Sequence, residues 1–463
     1  MDRKEFLKDC GRMGFAGWML SLFPWLESCS EATRREVQGE KARIGIIGTG
    51  SRGLFHIQHL LQMPQVEVTA LCDDYTPHLE DAAQYFPAAK LYSDYRQLLE
   101  DRNVDGVIIA TPLYLHAPMT LDAMEAGKRV FCEKAMAYSQ EDCLRVYNRR
   151  KELGAVLFIG QQRLFDPKYI KAMGMIHEGR IGDVVGVRNY WYRNNNWRRD
   201  VPSPELERRI NWRLYSQYSR GLMTELACHQ LQNGSWSLGM LPEQVMGSGH
   251  LVHWTKEDQR DVYDTVSAIF TYPNGVNMTF ESIISNKHFG MGEQILGSKG
   301  TIDLISGLIY SDDPMPKGSG IHQLVTQIEN GIMSNSVFAG TSWAAETSPL
   351  APGLPIMPNV TVNTGESTIG AEADGSKEII EAFANAVITG KQPEKILEES
   401  YYATQFALLA DRAMHENRIL SSLRFHTSRF GTKFDMMERC AAVAKRYVCT
   451  YVYARRMRMR RCK

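Results

Sequence analysis

The chain has no net charge, no paired cysteine motif and no long apolar run, and each absence removes a class of function. Its 53 basic and 53 acidic residues cancel, so no global field invites nucleic acid. Nine cysteines, Cys10, Cys29, Cys72, Cys132, Cys143, Cys228, Cys440, Cys449 and Cys462, are odd in number and scattered without a Cys-x-x-Cys pair. Neither a disulfide framework nor a zinc site is suggested. Cys72, Cys132 and Cys143 fall in apolar strand or helix patterns and read as core thiols. The apolar segment from Met13 to Leu26 is too short for a comfortable membrane span. With 463 residues, the chain has room for a large core and about two or three domains.

What is present is organised around Arg43-Ile44-Gly45-Ile46-Ile47-Gly48-Thr49-Gly50-Ser51-Arg52-Gly53. This reads as a buried parallel strand running into a phosphate-binding turn. Gly48 permits the turn, Gly50 lets the backbone approach a pyrophosphate, and Gly53 lets the next helix pack against the strand. That helix offers unpaired N–H groups and a positive dipole end to the phosphates. A second apolar strand, Val66 to Cys72, ends in Asp73-Asp74, and Asp73 lies twenty residues beyond Gly53. A carboxylate there accepts bonds from the adenosine ribose and repels a 2′-phosphate, which favours NAD over NADP.

Strand-like runs at Ile44–Gly48, Val66–Cys72, Val104–Ala110, Arg129–Cys132 and Ala155–Ile159 alternate with helical stretches near 53–62, 76–86, 94–101, 115–127 and 139–153. That rhythm predicts βαβ units and a doubly wound parallel sheet over 42–160. Cofactor and chemistry then belong outside the carboxyl ends of the strands. One strand leaves through Ala110-Thr111-Pro112 toward His116, beside the expected nicotinamide. The next leaves through Cys132-Glu133-Lys134.

Together these motifs resemble the Gfo/Idh/MocA oxidoreductase family. The resemblance covers roughly 42–420 and implies an α/β chain: an N-terminal Rossmann domain, then an α+β domain at 161–420 on an open, mostly antiparallel sheet. It implies bound NAD contacted by Gly48, Thr49, Gly50, Ser51, Arg52, Gly53, Asp73, Thr111, Pro112, His116, Glu133, Lys134 and Gln162. The family's strand ends Glu-Lys-Pro, with the lysine on nicotinamide ribose and substrate, a role that falls on Lys134. Ala135 stands where the proline belongs, so the proline's rigidity and cis geometry are not expected.

Gln161 to Pro167 resembles the family's entry into its second domain. A helix to about Glu178 and a strand Val184–Trp191 follow. Tyr190 to Arg199 is rich in aromatics, amides and arginines, which suits a sugar and equally a sheet edge with a solvated turn. In Gly221 to Gln232, helical spacing puts Glu225 and His229 one turn apart on one face. Taken alone His229 would read as a structural histidine. The family carries Asp-x-x-x-His here, with the histidine as general base, so the resemblance implies that His229 takes a proton and that Glu225, in the aspartate's place, holds it or binds a neighbouring hydroxyl. Antiparallel strands are expected at Gln244–Leu251, Val262–Tyr272, Val276–Ser282 and Gln294–Leu304, with a turn at Tyr272-Pro273-Asn274-Gly275. The outer face of this sheet is expected to make a homo-oligomer. Residues 305–360 read as an insertion covering a pocket, 372–389 and 397–418 as helices, and 421–463 as a basic, disordered tail with no assigned function.

Residues 1–29 have the layout of an export signal: a charged start, a short apolar run, and Ser28 before Cys29. Arg3 to Lys8 resembles a twin-arginine signal with lysine for the second arginine, and Leu26-Glu27-Ser28-Cys29 a lipoprotein box. The expectation is a periplasmic protein or a lipoprotein anchored at Cys29, with 30–41 as a tether. A docked amphipathic helix is the alternative, and the protein then stays cytoplasmic. An exported enzyme must carry its cofactor folded in place. The resemblance implies an NAD-dependent oxidoreductase acting on a sugar or glycoside hydroxyl, with no metal. An NAD-dependent glycosidase and a non-catalytic NAD- or sugar-sensing protein stay open as alternatives.

Overall fold

The continuous apolar runs form a parallel sheet whose central strands are buried on both faces. A computed structural model describes residues 41–255, 259–311, 354–355 and 374–422. The expected export signal and nearly all of its tether, most of the expected insertion and nearly all of the basic tail lie outside these residues.

The first sheet takes β1 (Ala42–Ile47), β2 (Val66–Cys72), β3 (Lys90–Tyr92), β4 (Gly106–Ile109), β5 (Arg129–Cys132) and β6 (Leu157–Ile159). Its order is β3-β2-β1-β4-β5-β6, with every pair parallel. The intervening helices are α1 (Ser51–Leu60), α2 (Thr76–Ala83), α3 (Tyr95–Glu100), α4 (His116–Glu125) and α5 (Gln140–Leu153). Two of them begin at a side-chain cap. Asp94 caps α3 through the Arg96 N–H, and Ser139 caps α5 through the Asp142 N–H. The sequence reading missed β3, which is three residues long and mostly exposed, too short to show a period.

The second half opens with α6 (Pro167–His177), capped by Asp166 with proline at the first turn. It continues through β7 (Val184–Tyr192), α7 (Glu207–Ile210), α8 (Cys228–Leu238), β8 (Gln244–His250), β9 (Thr265–Thr271), β10 (Asn277–Ile283), β11 (Met291–Gly297), β12 (Gly300–Asp303), β13 (Leu308–Ser311) and β14 (Leu354–Pro355) to α9 (Ser376–Thr389) and α10 (Glu394–Glu416). The sheet order is β14-β13-β12-β11-β7-β10-β9-β8-β15, the last a two-residue edge strand, Leu420–Ser421. From β14 to β8 it is antiparallel except for the parallel β7–β10 pair. Two expectations change here. The run Gln294–Leu304 is not one strand but the hairpin β11–β12, because the chain reverses at Ser298-Lys299 between two glycines. The described ends of the expected insertion form sheet-edge strands β13 and β14.

Alternation along β9 buries Val266, Ala268 and Phe270 and turns Ile269 outward. Ile269, Met246 and Val185 leave the outer face partly apolar. The chain then returns to the first half. Leu397 and Tyr401 of α10 join the core of β4 and β5, and the Thr404 hydroxyl accepts from the Met136 N–H at 3.0 Å. This docking fixes the ends of β5 and α8 against each other.

Candidate active site

The phosphate turn follows from three backbone demands. Gly48 has φ of +90°, and a Cβ there would sit 2.8 Å from the Ala110 carbonyl. At Gly53 a Cβ would lie 2.1 Å from the Gly48 carbonyl oxygen, so helix and strand could not close. At Gly50 it would meet only the His78 ring at 3.4 Å, so packing does not demand that glycine. Helix α1 begins at Ser51 and aims its free N–H groups into this turn.

Asp73 closes the adenosine side. Its carboxylate accepts from the Thr49 N–H at 2.8 Å and the Tyr75 N–H at 2.9 Å. Burial pushes this carboxyl up, but bonds from His78, Tyr75 and Thr49 outweigh it and hold the group below its ordinary value. It is an ionised acceptor at neutral pH, as ribose hydroxyls require. At the expected nicotinamide side, Thr111 Oγ1 and Gln162 Oε1 are buried with no partner among the described residues, which fits polar ligand groups at both.

Three residues expected at the cofactor are used differently. The Arg52 guanidinium turns back to Glu133 at 2.7 Å, and His56 Nε2 meets the same Glu133 oxygen at 2.8 Å. The other Glu133 oxygen accepts from the Lys134 N–H at 3.1 Å. Burial raises the Glu133 carboxyl, yet Arg52 and His56 outweigh it and hold it well below its usual range. Glu133 is thus an internal brace under Lys134. His116 is also corrected. Its two ring nitrogens meet the carbonyls of Ala135 at 2.7 Å and Thr111 at 3.0 Å, which leaves neither for a cofactor. The Lys134–Ala135 peptide is cis, contrary to the expectation drawn from the missing proline.

The Lys134 ammonium donates to the Glu225 carbonyl at 2.7 Å. Glu225 lies in a π-helical turn, Met223–Ala227, that feeds directly into α8. The Glu225 carboxylate pairs with Arg213 at 2.9 Å, and the expectation that it holds His229 does not stand. His229 is buried, and its Nδ1 has no partner among the described residues. Burial, then the charges of Lys134 and Arg163, hold its imidazole well below the ordinary value. A neutral imidazole is ready to accept a proton, and an ammonium lies close by.

Period-two alternation sends Trp191 to the His229 side of β7 and Tyr190 and Tyr192 to the other. The Trp191 and His229 rings lie 6.2 Å apart, while both tyrosines meet Phe289. Beyond the strand, Asn195 and Asn196 only cap local turns, through the Trp197 and Arg198 N–H groups. Of the expected sugar-binding stretch, Trp191 is the aromatic placed beside His229. Sequence reasoning missed Arg213, which sits in a three-residue 3₁₀ turn, Trp212–Leu214, too short to show a period, and Gln161, whose amide donates to the Cys228 carbonyl at 3.0 Å.

Residues 42–161 match the oxidoreductase family with an NAD-binding Rossmann fold, and 169–303 match the GFO/IDH/MocA C-terminal domain. The chain belongs to the Gfo/Idh/MocA oxidoreductase family. In this family its relatives include the scyllo-inositol 2-dehydrogenase (NAD(+)) of Bacillus subtilis (strain 168), 25% identical over 57% of this chain and 73% of the relative. A glycosyl hydrolase family 109 protein of Stenotrophomonas maltophilia (strain K279a) is 34% identical over 41% of each chain. The fold is shared with a levoglucosan dehydrogenase solved with NADH and levoglucosan, at a TM-score of 0.62 and 18% identity over 82% of this chain and 99% of that one. This Gfo/Idh/MocA chain is therefore an NAD-binding oxidoreductase with the family's two-domain architecture.

Proposed function

We propose that the protein oxidises a secondary hydroxyl of a sugar, glycoside or cyclic polyol. The observation that carries this reading is the Lys134 ammonium anchored on the Glu225 carbonyl, within electrostatic reach of a His229 held neutral. His229 takes the hydroxyl proton, and Lys134 stabilises the developing alkoxide. Bound NAD would supply the two-electron acceptor, so the carbinol carbon becomes a ketone. The glycine turn, Asp73, Thr111 and Gln162 would hold it, while Glu133, braced by Arg52 and His56, fixes the backbone under Lys134. The inositol dehydrogenase relative supports a ring polyol as the substrate.

The family 109 relative favours a second reading, in which transient oxidation allows elimination of an aglycone and the cofactor is restored. Incubating the purified protein with glycosides and cyclitols while following NAD reduction and aglycone release separates the two. Reduction without release supports the dehydrogenase, and release without net reduction the glycosidase. Neither signal with any substrate would leave the non-catalytic sensor. On the N-terminal sequence alone, we also propose export with the cofactor already bound, which recovery of NAD from the denatured secreted protein would support.

A further inference from the structure

Arg193 leaves β7 on the same face as Trp191, two residues further along, and its position is fixed by a bond from its own N–H to the Ile283 carbonyl at 2.8 Å. Its guanidinium lies 5.8 Å from the centre of the Trp191 ring, the ring that also neighbours His229. The side chain is half-buried. Of the other arginines around the site, Arg52 has Glu133, Arg163 has Glu293 at 2.6 Å and Arg213 has Glu225, while Arg199, beside Arg213, has no acid among the described residues. Among the described residues Arg193 pairs with no carboxylate, and burial without a compensating charge pushes its guanidinium below its ordinary value.

A partly desolvated cation without a counter-ion is costly, and this one lies against the same Trp191 ring that neighbours His229. Lys134 is already committed to the developing alkoxide, so the charge on Arg193 is surplus to the oxidation itself. A guanidinium presents a planar fork that matches a carboxylate bidentately.

We propose that the substrate is a carboxylated ring polyol, a uronic acid or cyclitol acid, whose carboxylate Arg193 holds while the reacting hydroxyl faces His229 and Lys134. This rests on the oxidoreductase reading and narrows it from ring polyols to their acids. Arg193 is then a specificity-determining residue, and the Trp191 ring beside it offers the apolar face on which the substrate ring can lie.

The test compares NAD reduction on matched pairs, hexuronates against hexoses and a cyclitol acid against its cyclitol, with hexose phosphates as a third arm. Wild type should favour the acid in kcat/KM by about tenfold to a hundredfold, the range of a charged hydrogen-bonded contact. In Arg193→Gln that preference should shrink at least about tenfold, mainly through KM, with Arg193→Lys retaining part of it. Unimpaired NADH binding by both variants would show that they are folded. Reduction that favours neutral rings or phosphates, or a preference unchanged in R193Q, overturns the inference and leaves the oxidoreductase reading intact. No reduction with any ring sinks that reading instead. Calorimetric titration of the NADH-loaded protein with a hexuronate then decides the inference: binding weakened in R193Q upholds it, and no binding, or binding indifferent to R193Q, overturns it.

Discussion

The ammonium of Lys134 reaches across from the first half of the chain to the main-chain carbonyl of Glu225, 2.7 Å away and 91 residues on. The bond reads no side chain, so its geometry is set by the π-helical turn that carries Glu225 and not by the identity of residue 225. It is also a bond that a substrate alkoxide can share without displacing an ion-pair partner. Lys134→Met keeps the aliphatic stem and removes the charge. Turnover should fall about a hundredfold or more, while NAD binding, set by the glycine turn and Asp73, persists. Steady-state NAD reduction beside a cofactor titration checks both, and full activity in the variant would remove Lys134 from the mechanism.

His229 gives a pH signature whose direction follows from its surroundings. Burial first, then Lys134 and Arg163, disfavour the imidazolium, so the neutral base persists well below the ordinary value of 6.5. Above that value kcat/KM should show no limb from this group, and the rate should fall only as pH drops far into the acid range. His229→Asn should lose about a hundredfold to a thousandfold and abolish that acid limb. A wild-type limb centred near 6.5 that survives in the variant would assign the base elsewhere.

Asp73 ties Thr49 and Tyr75 into the turn, and in the proposed complex it also faces the ribose. Asp73→Ser should raise the NADP over NAD ratio in kcat/KM by about tenfold to a hundredfold, as a repelling charge is lost. It should also lower stability by about 1–2 kcal/mol, because two N–H groups lose a charged acceptor. Cofactor titrations together with thermal unfolding separate the two effects.

These contrasts show which parts of the site were legible from residues alone. Backbone demands were: Gly48 needs its positive φ and Gly53 its missing Cβ, and both constraints act within a few residues. The buried strands were legible for the same local reason. Long-range pairing was not. Nothing near Glu225 announces Arg213 as its partner, and nothing near Glu133 announces that Arg52 and His56 will claim it. The π turn escaped because four-residue spacing looks the same in sequence whether the helix keeps its α pitch or widens. The β11–β12 hairpin escaped because its two flanking glycines interrupt an apolar alternation that otherwise reads straight through.

His116 tests whether a residue that resembles a cofactor ligand serves instead as a clamp. Both of its ring nitrogens face carbonyl oxygens, Ala135 at 2.7 Å and Thr111 at 3.0 Å, and only the imidazolium can donate to both. Burial opposes that charge, but Cys132 and the two carbonyls outweigh it, and the group is pushed up to about 9. A basic group raised on folding stabilises fully below its unfolded value of 6.5, and this contribution is lost as pH climbs through about 9. The gap corresponds to on the order of 3 kcal/mol. Denaturant unfolding of the wild type should therefore show stability declining between those two values, whereas His116→Gln should begin lower and lack that part of the decline. Because the clamp joins the loop ends that carry Thr111 and Lys134, cofactor affinity should weaken over the same interval. Equal pH slopes in the two proteins would mean that His116 is neutral in the fold and that one of the two carbonyl contacts is not a hydrogen bond.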